Sequence, residues 1–205
     1  MKYEDGDFGY WWTVTNGNED IENKVYYGDI DCSYSFITSL KGLPRTIRGN
    51  LACNYNTITS LKGCPKEVQG DFWCSSNELT SLQYSPEEVQ GEFDCSRNRL
   101  TSLKGCPKEV QGDFWCSNNE LSSLKGSPKI VNGDFDCSTN KIISLEGSPE
   151  EIQGEFDCHN NPNNYLKEEY NLRKENLSEP EIQDKMFKIT KDRKYLSNEA
   201  NELFM

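Results

Sequence analysis

The sequence is short of histidine and of long apolar runs, and each shortage excludes a class of function. His159 is the only histidine among the 205 residues, so a catalytic triad or a histidine-ligated zinc site would depend on this one side chain. No stretch has the roughly 20 apolar residues of a transmembrane helix. The acidic residues 1–7 lack the apolar core of a secretory signal, and the chain has no glycine-rich phosphate loop. We therefore expect no membrane span, no bound metal and no cofactor.

Cationic residues are also scarce. Lysine and arginine number 22 against 34 aspartates and glutamates, and the formal net charge is −12. Such a charge repels nucleic acid and anionic membranes, so we expect neither as a direct partner, and it favours a basic partner or simply solubility. Hydrophobic residues make up only 34% of the chain. A solenoid tolerates this composition, because a few inward positions in each repeat fill its narrow core.

A repeat of 21 residues occupies most of the chain. It is marked by seven evenly spaced cysteines: Cys32, Cys53, Cys74, Cys95, Cys116, Cys137 and Cys158. In most repeats Phe stands two residues before the cysteine, Asn three after it, and Leu or Ile five and eight after it, followed by Pro, by Val or Ile, and by Gly. A fixed period of this kind predicts repeats that stack on one another as a solenoid.

Each recurring position has a structural interpretation. The Phe-x-Cys stretch alternates inward and outward as a strand does, with Phe and Cys in the core. The Asn side chain is expected to bond the backbone of the turn that ends the strand. Proline is tolerated on the far side, where no sheet ladder needs its N–H, and glycine permits a tight return into the next strand.

The cysteines are expected to be buried thiols, because a thiol behaves as a small hydrophobic group. Parallel side chains in neighbouring turns disfavour disulfides, and no Cys/His set has zinc-finger spacing. The total of nine cysteines is odd. Together with the missing export signal, this predicts a reduced, cytoplasmic setting.

The repeat resembles the leucine-rich repeats of bacterial proteins. Residues 72–79, FWCSSNEL, are similar to the core L-x-L-x-x-N-x-L, and residues 79–82, LTSL, with Pro86 and Val89 further on, are similar to the class N-x-L-T-S-L-P-x-L-P-x-x-L. In this chain Phe and Cys replace the core leucines, as in similar repeat proteins of bacteria and large phages. The resemblance covers about residues 26–166. It implies an α/β-type repeat solenoid with mainly short parallel strands and an irregular convex side.

The resemblance also bears on setting and activity. It implies a bacterial cell or an infected host cell as the surroundings. Effectors with similar repeats carry a separate ligase domain with a catalytic cysteine, but the tail after Cys158 contains no cysteine. His159 has no obvious nucleophile near it in the sequence. We therefore expect no enzyme activity and no catalytic residue.

The two ends differ from the repeats, which we assign to residues 28–162. Residues 1–27 are rich in aromatics and are expected to form an N-terminal cap, although Trp11 and Trp12 could instead bind a ligand. Residues 163–205 are expected to be helical, with a helix start near Ser178. This segment is interpreted as a C-terminal cap, with a partner-binding helix or dimer element as the alternative.

The outward residues of the strands stand three positions before, one position before and one position after each cysteine. They are expected to line a concave surface. Carboxylates dominate this surface, and Trp73 and Trp115 interrupt them two turns apart with Asp94 between. An exposed tryptophan among carboxylates suits a basic or amphipathic protein. The near-identical segments 60–79 and 102–121 offer another explanation, since a duplication alone would pair the tryptophans. The predicted partner-binding residues are Trp73, Trp115, Asp71, Asp94, Asp113, Asp134, Asp136, Glu92, Glu155 and Asp157.

The sequence thus favours a protein-binding module that engages or inhibits a host or defence protein. Two alternatives stay open. The carboxylate rows could mimic nucleic-acid charge and block a nucleic-acid-binding protein, although a concave display counts against this. The open ends of a solenoid could also pair in a self-assembling or virion component. The oligomeric state follows from none of these features.

Overall fold

The computed structural model describes residues 24–175 and 177–203, with side chains described as far as Lys191. The chain divides into two compact units, residues 1–162 and 163–205. The first unit is a solenoid in which each 21-residue coil contributes one short strand to each of two parallel sheets. The predicted solenoid of stacked repeats is therefore confirmed.

The first sheet, called here the phenylalanine sheet, contains the strand that was predicted in each repeat. Its seven strands are Ile30–Asp31, Leu51–Ala52, Phe72–Trp73, Phe93–Asp94, Phe114–Trp115, Phe135–Asp136 and Phe156–Asp157. They pair in parallel and in register, so Phe93 lies between Phe72 and Phe114. Such short strands persist because each is bonded to the neighbouring coils, on both sides for the five inner strands. The backbone N–H of Phe72, for example, donates to the carbonyl oxygen of Glu92 at 2.8 Å.

A second sheet, called here the valine sheet, precedes the phenylalanine strand of each coil. Its strands are Val25–Tyr27, Thr46–Arg48, Glu67–Val68, Glu88–Val89, Glu109–Val110, Ile130–Val131 and Glu151–Ile152. The sequence predicted irregular structure here, and the sheet corrects that expectation. Each strand has a single buried residue, which is Val or Ile in all but the first strand, so its alternation is too short to recognise. Pairing between coils makes it a strand, as where Gln90 N–H donates to the carbonyl oxygen of Val68 at 3.1 Å.

The first strand of the valine sheet falls inside the segment predicted as an N-terminal cap. Tyr26 is buried in that strand, and the preceding residue Val25 and the following residue Tyr27 are exposed. Residues 25–27 therefore belong to the sheet. Residues 1–23 of the predicted cap, including Trp11 and Trp12, lie outside the described residues.

The core of the solenoid is a continuous stack of identical positions. The phenylalanines are fully buried, with ring centroids between 5.1 Å for Phe72–Phe93 and 5.9 Å for Phe135–Phe156. The seven recurring cysteines are buried beside them, and all nine cysteines are free thiols. The predicted inward positions of Phe and Cys and the expected lack of disulfides are confirmed.

A ladder of buried asparagines joins neighbouring coils at the turn after the phenylalanine strand. Asn98 is typical: its Nδ2 donates to the carbonyl oxygens of Cys74 and Cys95, each at 3.1 Å, and its Oδ1 accepts the backbone N–H of Leu79 at 3.0 Å. The same arrangement recurs at Asn56, Asn77, Asn119, Asn140 and Asn161. The predicted role of this asparagine is confirmed, and it extends to the backbone of the preceding coil.

The second unit contains two helices, α1 (Leu166–Lys174) and α2 (Glu179–Leu203), which confirms the helical prediction for residues 163–205. Helix α2 begins directly after Ser178, whose backbone N–H and Oγ both donate to Glu181 Oε2, at 2.9 and 2.6 Å. This is the reciprocal half of a capping box. In the described part of the chain, neither helix is long and apolar enough to cross a membrane.

Candidate functional site

The outer face of the phenylalanine sheet carries the residue that stands between Phe and Cys in each coil. This Trp–Asp row consists of Asp31, Ala52, Trp73, Asp94, Trp115, Asp136 and Asp157. Because the strands are in register, Asp94 has Trp73 on one side and Trp115 on the other, at the strand spacing of about 5 Å. Both tryptophans are half-buried, and Asp94 is only 9% exposed. The two indoles are thus neighbours of one shared carboxylate.

Glu92 holds the first of these indoles in place. Trp73 Nε1 donates to Glu92 Oε2 at 3.1 Å, across two adjacent coils. Both residues belong to the predicted partner-binding set, and Glu92 is half-buried. The hydrogen bond fixes the orientation of the indole ring.

The acidic or amide residue three positions before each cysteine forms a corner row between the two sheets. These residues were predicted to be outward strand residues, but they follow the valine strand and precede the phenylalanine strand without belonging to either. Asp71 Oδ1 accepts the backbone N–H of Glu92 at 2.8 Å, and Asp113 Oδ1 accepts that of Asp134 at 2.7 Å. Asp134 Oδ1 likewise accepts the N–H of Glu155 at 2.7 Å. The corner row therefore ties successive coils together as well as carrying charge.

The glycine before each corner residue is required by the same contacts between neighbouring coils. A Cβ at Gly91 would collide with Asp71 Oδ1, and one at Gly133 would collide with Asp113 Oδ1. The side chain of one coil thus occupies the space that a larger residue in the next coil would need. This close approach explains the recurring Gly-Asp pair, which the sequence analysis attributed to a tight turn alone.

The predicted carboxylates differ in how far they reach solvent. Asp134, Glu155 and Asp157 are exposed, Asp71, Glu92, Asp113 and Asp136 are half-buried, and Asp94 is buried. In the Trp–Asp row, Asp94 Oδ1 and Asp136 Oδ1 accept the backbone N–H two residues further on, at 2.9 and 2.8 Å. The aspartates of this acidic surface are therefore each held by a backbone hydrogen bond, whereas Glu92 accepts from Trp73 Nε1. The surface is most open at its C-terminal coils.

The serines after the cysteines were predicted on the same outward surface, and this prediction is wrong for three of them. Ser75, Ser117 and Ser138 are 7%, 7% and 4% exposed. Ser75 shows why: its N–H and Oγ both donate to Asn54 Oδ1 of the preceding coil, at 2.8 and 3.0 Å. The chain turns inward directly after the cysteine, and the hydroxyl is used inside the turn.

His159 is the exposed exception at that position. Its Nδ1 lies 2.7 Å from Asp157 Oδ1. The hydrogen bond and the charge of Asp157 raise the pKa of His159 above its ordinary value. The pair extends the Trp–Asp row with a proton-dependent charge, and no nucleophile is hydrogen-bonded to the ring within the described residues.

A group of exposed aromatics near the start of the solenoid was missed by the sequence analysis. Tyr34 and Tyr55 stack with ring centroids 4.4 Å apart, and Phe36 is 90% exposed. All three residues have positive φ, between 53° and 57°, a conformation that disfavours bulky side chains. The available signal was the aromatic residue two positions after the first two cysteines, where later repeats have Ser, Arg, Asn or Thr.

The core cysteines have the chemistry of inert thiols. Burial raises the pKa of Cys32 to about 12 and holds those of Cys53, Cys74 and Cys116 well above the ordinary value. A thiol that stays protonated is a poor nucleophile and a poor metal ligand. Within the residues that the structure describes, no group of three or more His, Cys, Asp or Glu side chains is arranged to hold a metal ion.

Comparison with known proteins identifies no relative of this chain. No protein-family profile, no curated protein sequence and no solved structure matches the chain.

Proposed function

We propose that this chain is a leucine-rich-repeat module that binds another protein through the Trp–Asp row, and that it is not an enzyme. The observation that carries the proposal is the arrangement of Trp73 and Trp115 on either side of Asp94, on one rigid sheet face. Two half-buried indoles one coil either side of a carboxylate form a compact anchor site. Tryptophan is among the residues that contribute most to protein interfaces.

The partner we propose presents a basic or amphipathic segment. An arginine or lysine side chain can lie over an indole face and pair with a carboxylate at the same time. Asp136 and Asp157 continue the row beyond Trp115, and the corner residues Asp134 and Glu155 add exposed charge beside them. A basic segment that follows the row would therefore meet tryptophan first and increasing negative charge towards the C-terminal coils.

The site is well organised before binding. Each of its strands is bonded to both neighbours, Trp73 is fixed by Glu92 at 3.1 Å, and Asp94 by the N–H of Ser96 at 2.9 Å. Little side-chain entropy is then lost on association, and the carboxylates speed the encounter with a basic partner. We propose a bacterial or phage setting in which the module engages or inhibits a host or defence protein; this setting rests on the resemblance of the repeats.

The proposal is tested with a fluorescently labelled peptide of alternating Arg and Ser as the probe, measured by anisotropy against the full chain. Replacing both tryptophans, Trp73→Ala with Trp115→Ala, should weaken binding about tenfold or more, because each removes an interface anchor. Binding should also weaken as salt rises, since part of it is electrostatic. The matched control is Tyr84→Ala, which removes an aromatic residue that is 50% exposed but lies outside the row.

A charge-matched pair of variants separates the row from the overall acidity of the chain. Asp136→Asn with Asp157→Asn removes two charges from the row, whereas Glu109→Gln with Glu151→Gln removes two from the valine sheet. We expect only the first pair to reduce binding strongly. Equal losses in both pairs, or full binding without the two tryptophans, would contradict the proposed site.

A further inference from the structure

A groove lined by cations crosses the first two coils of this acidic chain. It has a volume of about 670 Å³, and every charged residue that lines it is basic: Lys41, Arg45, Lys62 and Lys66. All four side chains are exposed. Such a concentration of positive charge is unexpected in a protein with a net charge of −12.

The repeat itself brings the four cations together. Lys62 and Lys66 stand 21 residues after Lys41 and Arg45, so each pair lies side by side on neighbouring coils at a spacing of about 5 Å. The backbone N–H of Lys66 donates to the carbonyl oxygen of Arg45 at 2.7 Å. The lysines follow identical turns, in which their N–H groups donate to Ser39 Oγ at 3.1 Å and Ser60 Oγ at 3.2 Å.

The positive charge of the groove is only partly balanced within the chain. Lys66 pairs with Glu87 at 2.6 Å. In the part of the chain that the structure describes, Lys41, Arg45 and Lys62 make no ion pair. Neighbouring like charges repel one another, so a bound anion would relieve the repulsion.

The groove is short, which limits the anion to a compact one. In the third coil, Gln83 and Glu87 occupy the positions of Lys62 and Lys66, so the cationic strip ends after two coils. A long polyanion would run past it onto an acidic molecule.

We propose that this groove binds a small compound with two linked phosphate groups. Phosphate oxygens are compact, multiply charged acceptors that match the fork of Arg45 and the point charges of the lysines. Two linked phosphates span two neighbouring coils, so each can meet cations from both. The site is separate from the Trp–Asp row, and the proposal does not depend on the protein-binding function.

The test is calorimetric titration of the full chain with inorganic pyrophosphate at low ionic strength. Lys41→Gln with Lys62→Gln should weaken binding about tenfold, because two charge-assisted contacts are lost. The matched control is Lys104→Gln with Lys125→Gln, which changes the same repeat positions and the same charge in later coils that do not line the groove. We expect less than about a twofold effect there, because distant surface charges are screened.

Two further arms define the ligand class. Arg45→Lys keeps the charge and removes the planar fork, so pyrophosphate should bind about threefold or more weakly. Citrate, a carboxylate anion of similar charge, should bind at least about tenfold more weakly than pyrophosphate if phosphate geometry matters. No binding of millimolar pyrophosphate, equal binding of citrate, or equal losses in the two lysine pairs would overturn the proposal. Unchanged pyrophosphate binding after Trp73→Ala with Trp115→Ala is expected, because the two sites are separate.

Discussion

At the level of single residues, several side chains in each coil serve the neighbouring coil as much as their own. Asn98 bonds the backbone of two coils, and Asp71 bonds the N–H of Glu92 in the next one. Their polar atoms are satisfied only when the coils are stacked. A polar side chain of this kind therefore contributes to stability through contacts about 20 residues away in sequence.

The asparagine ladder provides the first prediction. Asn98→Ala leaves the buried Leu79 N–H without its acceptor, and a buried group without a partner costs free energy. It also removes one of two asparagine donors from the carbonyl oxygens of Cys74 and Cys95, which keep Asn77 and Asn119. We expect the free energy of unfolding to fall by about 2–4 kcal/mol in urea titrations. Ser122→Ala, at an exposed position of the neighbouring coil, should change it by less than about 0.5 kcal/mol. A similar loss in both variants would show that the ladder is not a main source of stability.

Tyr84 provides a prediction of the opposite sign. It has φ of 72° at a position where the other coils have glycine, with φ between 83° and 107°. Relief of left-handed strain is worth about 1–2 kcal/mol, and the greater freedom of unfolded glycine costs about 0.5–1 kcal/mol. Tyr84→Gly should therefore raise the free energy of unfolding by about 0.5–1 kcal/mol.

The converse change is the control for that measurement. Gly105→Ala introduces a Cβ that would lie 2.6 Å from the carbonyl oxygen of Leu82, at φ of 107°. It should lower the melting temperature, whereas Tyr84→Gly should raise it. A lower melting temperature in both variants would mean that the Tyr84 ring makes stabilising contacts that outweigh the backbone strain.

His159 carries the pH prediction. Asp157 raises the pKa of His159, so their pairing stabilises the folded chain fully below the ordinary histidine pKa of 6.5. That stabilisation is lost as the pH rises through the raised pKa. In a titration followed by the NMR shifts of the ring, Asp157→Asn should lower the pKa towards 6.5 and Asp136→Asn should lower it less. No change on removing Asp157 would contradict the pairing at 2.7 Å.

At the level of elements, the strands and the helices obtain their stability differently. A strand of two residues cannot persist alone, and each strand here exists because equivalent strands of the neighbouring coils are bonded to it, on both sides for all but the first and last strand of each sheet. The start of helix α2 is instead fixed locally, by Ser178 and Glu181. A substitution in the helix should therefore disturb only nearby residues, whereas a substitution in a sheet should destabilise several coils.

The start of helix α2 gives a second prediction on pH. The Ser178 hydroxyl and N–H lower the pKa of Glu181, so this contact stabilises the helix start above the ordinary glutamate pKa of 4.5 and is lost as the pH falls through the lowered value. Glu181→Ala should speed hydrogen exchange of the first-turn amides at neutral pH. Asp184→Ala, one turn further on, should leave those amides unchanged. Equal exchange in wild type and Glu181→Ala would show that the cap does not hold the first turn.

At the level of the whole molecule, the solenoid is a one-dimensional stack. Each coil pairs only with the coils before and after it, in both sheets. Its stability is therefore close to a sum of coil and interface contributions. The distance between Trp73 and Trp115 along the stack is therefore set by the number of coils between them.

Deletion of one complete coil tests this description. Removing residues 85–105 takes out one period and leaves every later residue in phase, so the chain should keep a native circular dichroism spectrum. Its urea m-value should fall with the smaller buried surface, and Trp73 and Trp115 would become direct neighbours. Removing residues 85–94 shifts the phase by about half a period and should abolish cooperative unfolding. A folded product from the out-of-phase deletion would contradict the stacked-coil description.

The sequence predicted the phenylalanine sheet well and the valine sheet not at all. Cys74 belongs to a series of seven cysteines at a fixed spacing, and Phe stands two residues before the cysteine in five of the repeats, as Phe72 does. That repetition identifies an inward face. Val68 lies in a strand of two residues, whose character comes from hydrogen bonds to the coils on either side. No local pattern of that length distinguishes a strand from a turn.

The sequence by itself determined the period of the stack, the inward residues and the neighbours of each side chain along the row, because a fixed spacing of 21 residues makes equivalent positions adjacent. Only the tertiary structure decided which polar residues reach solvent. Asp94 is buried between two indoles, Ser75 bonds Asn54 of the preceding coil, and the corner aspartates bond the backbone of the next coil. Those outcomes depend on the distances between atoms of neighbouring coils, and the spacing of residues along the chain carries no information about them.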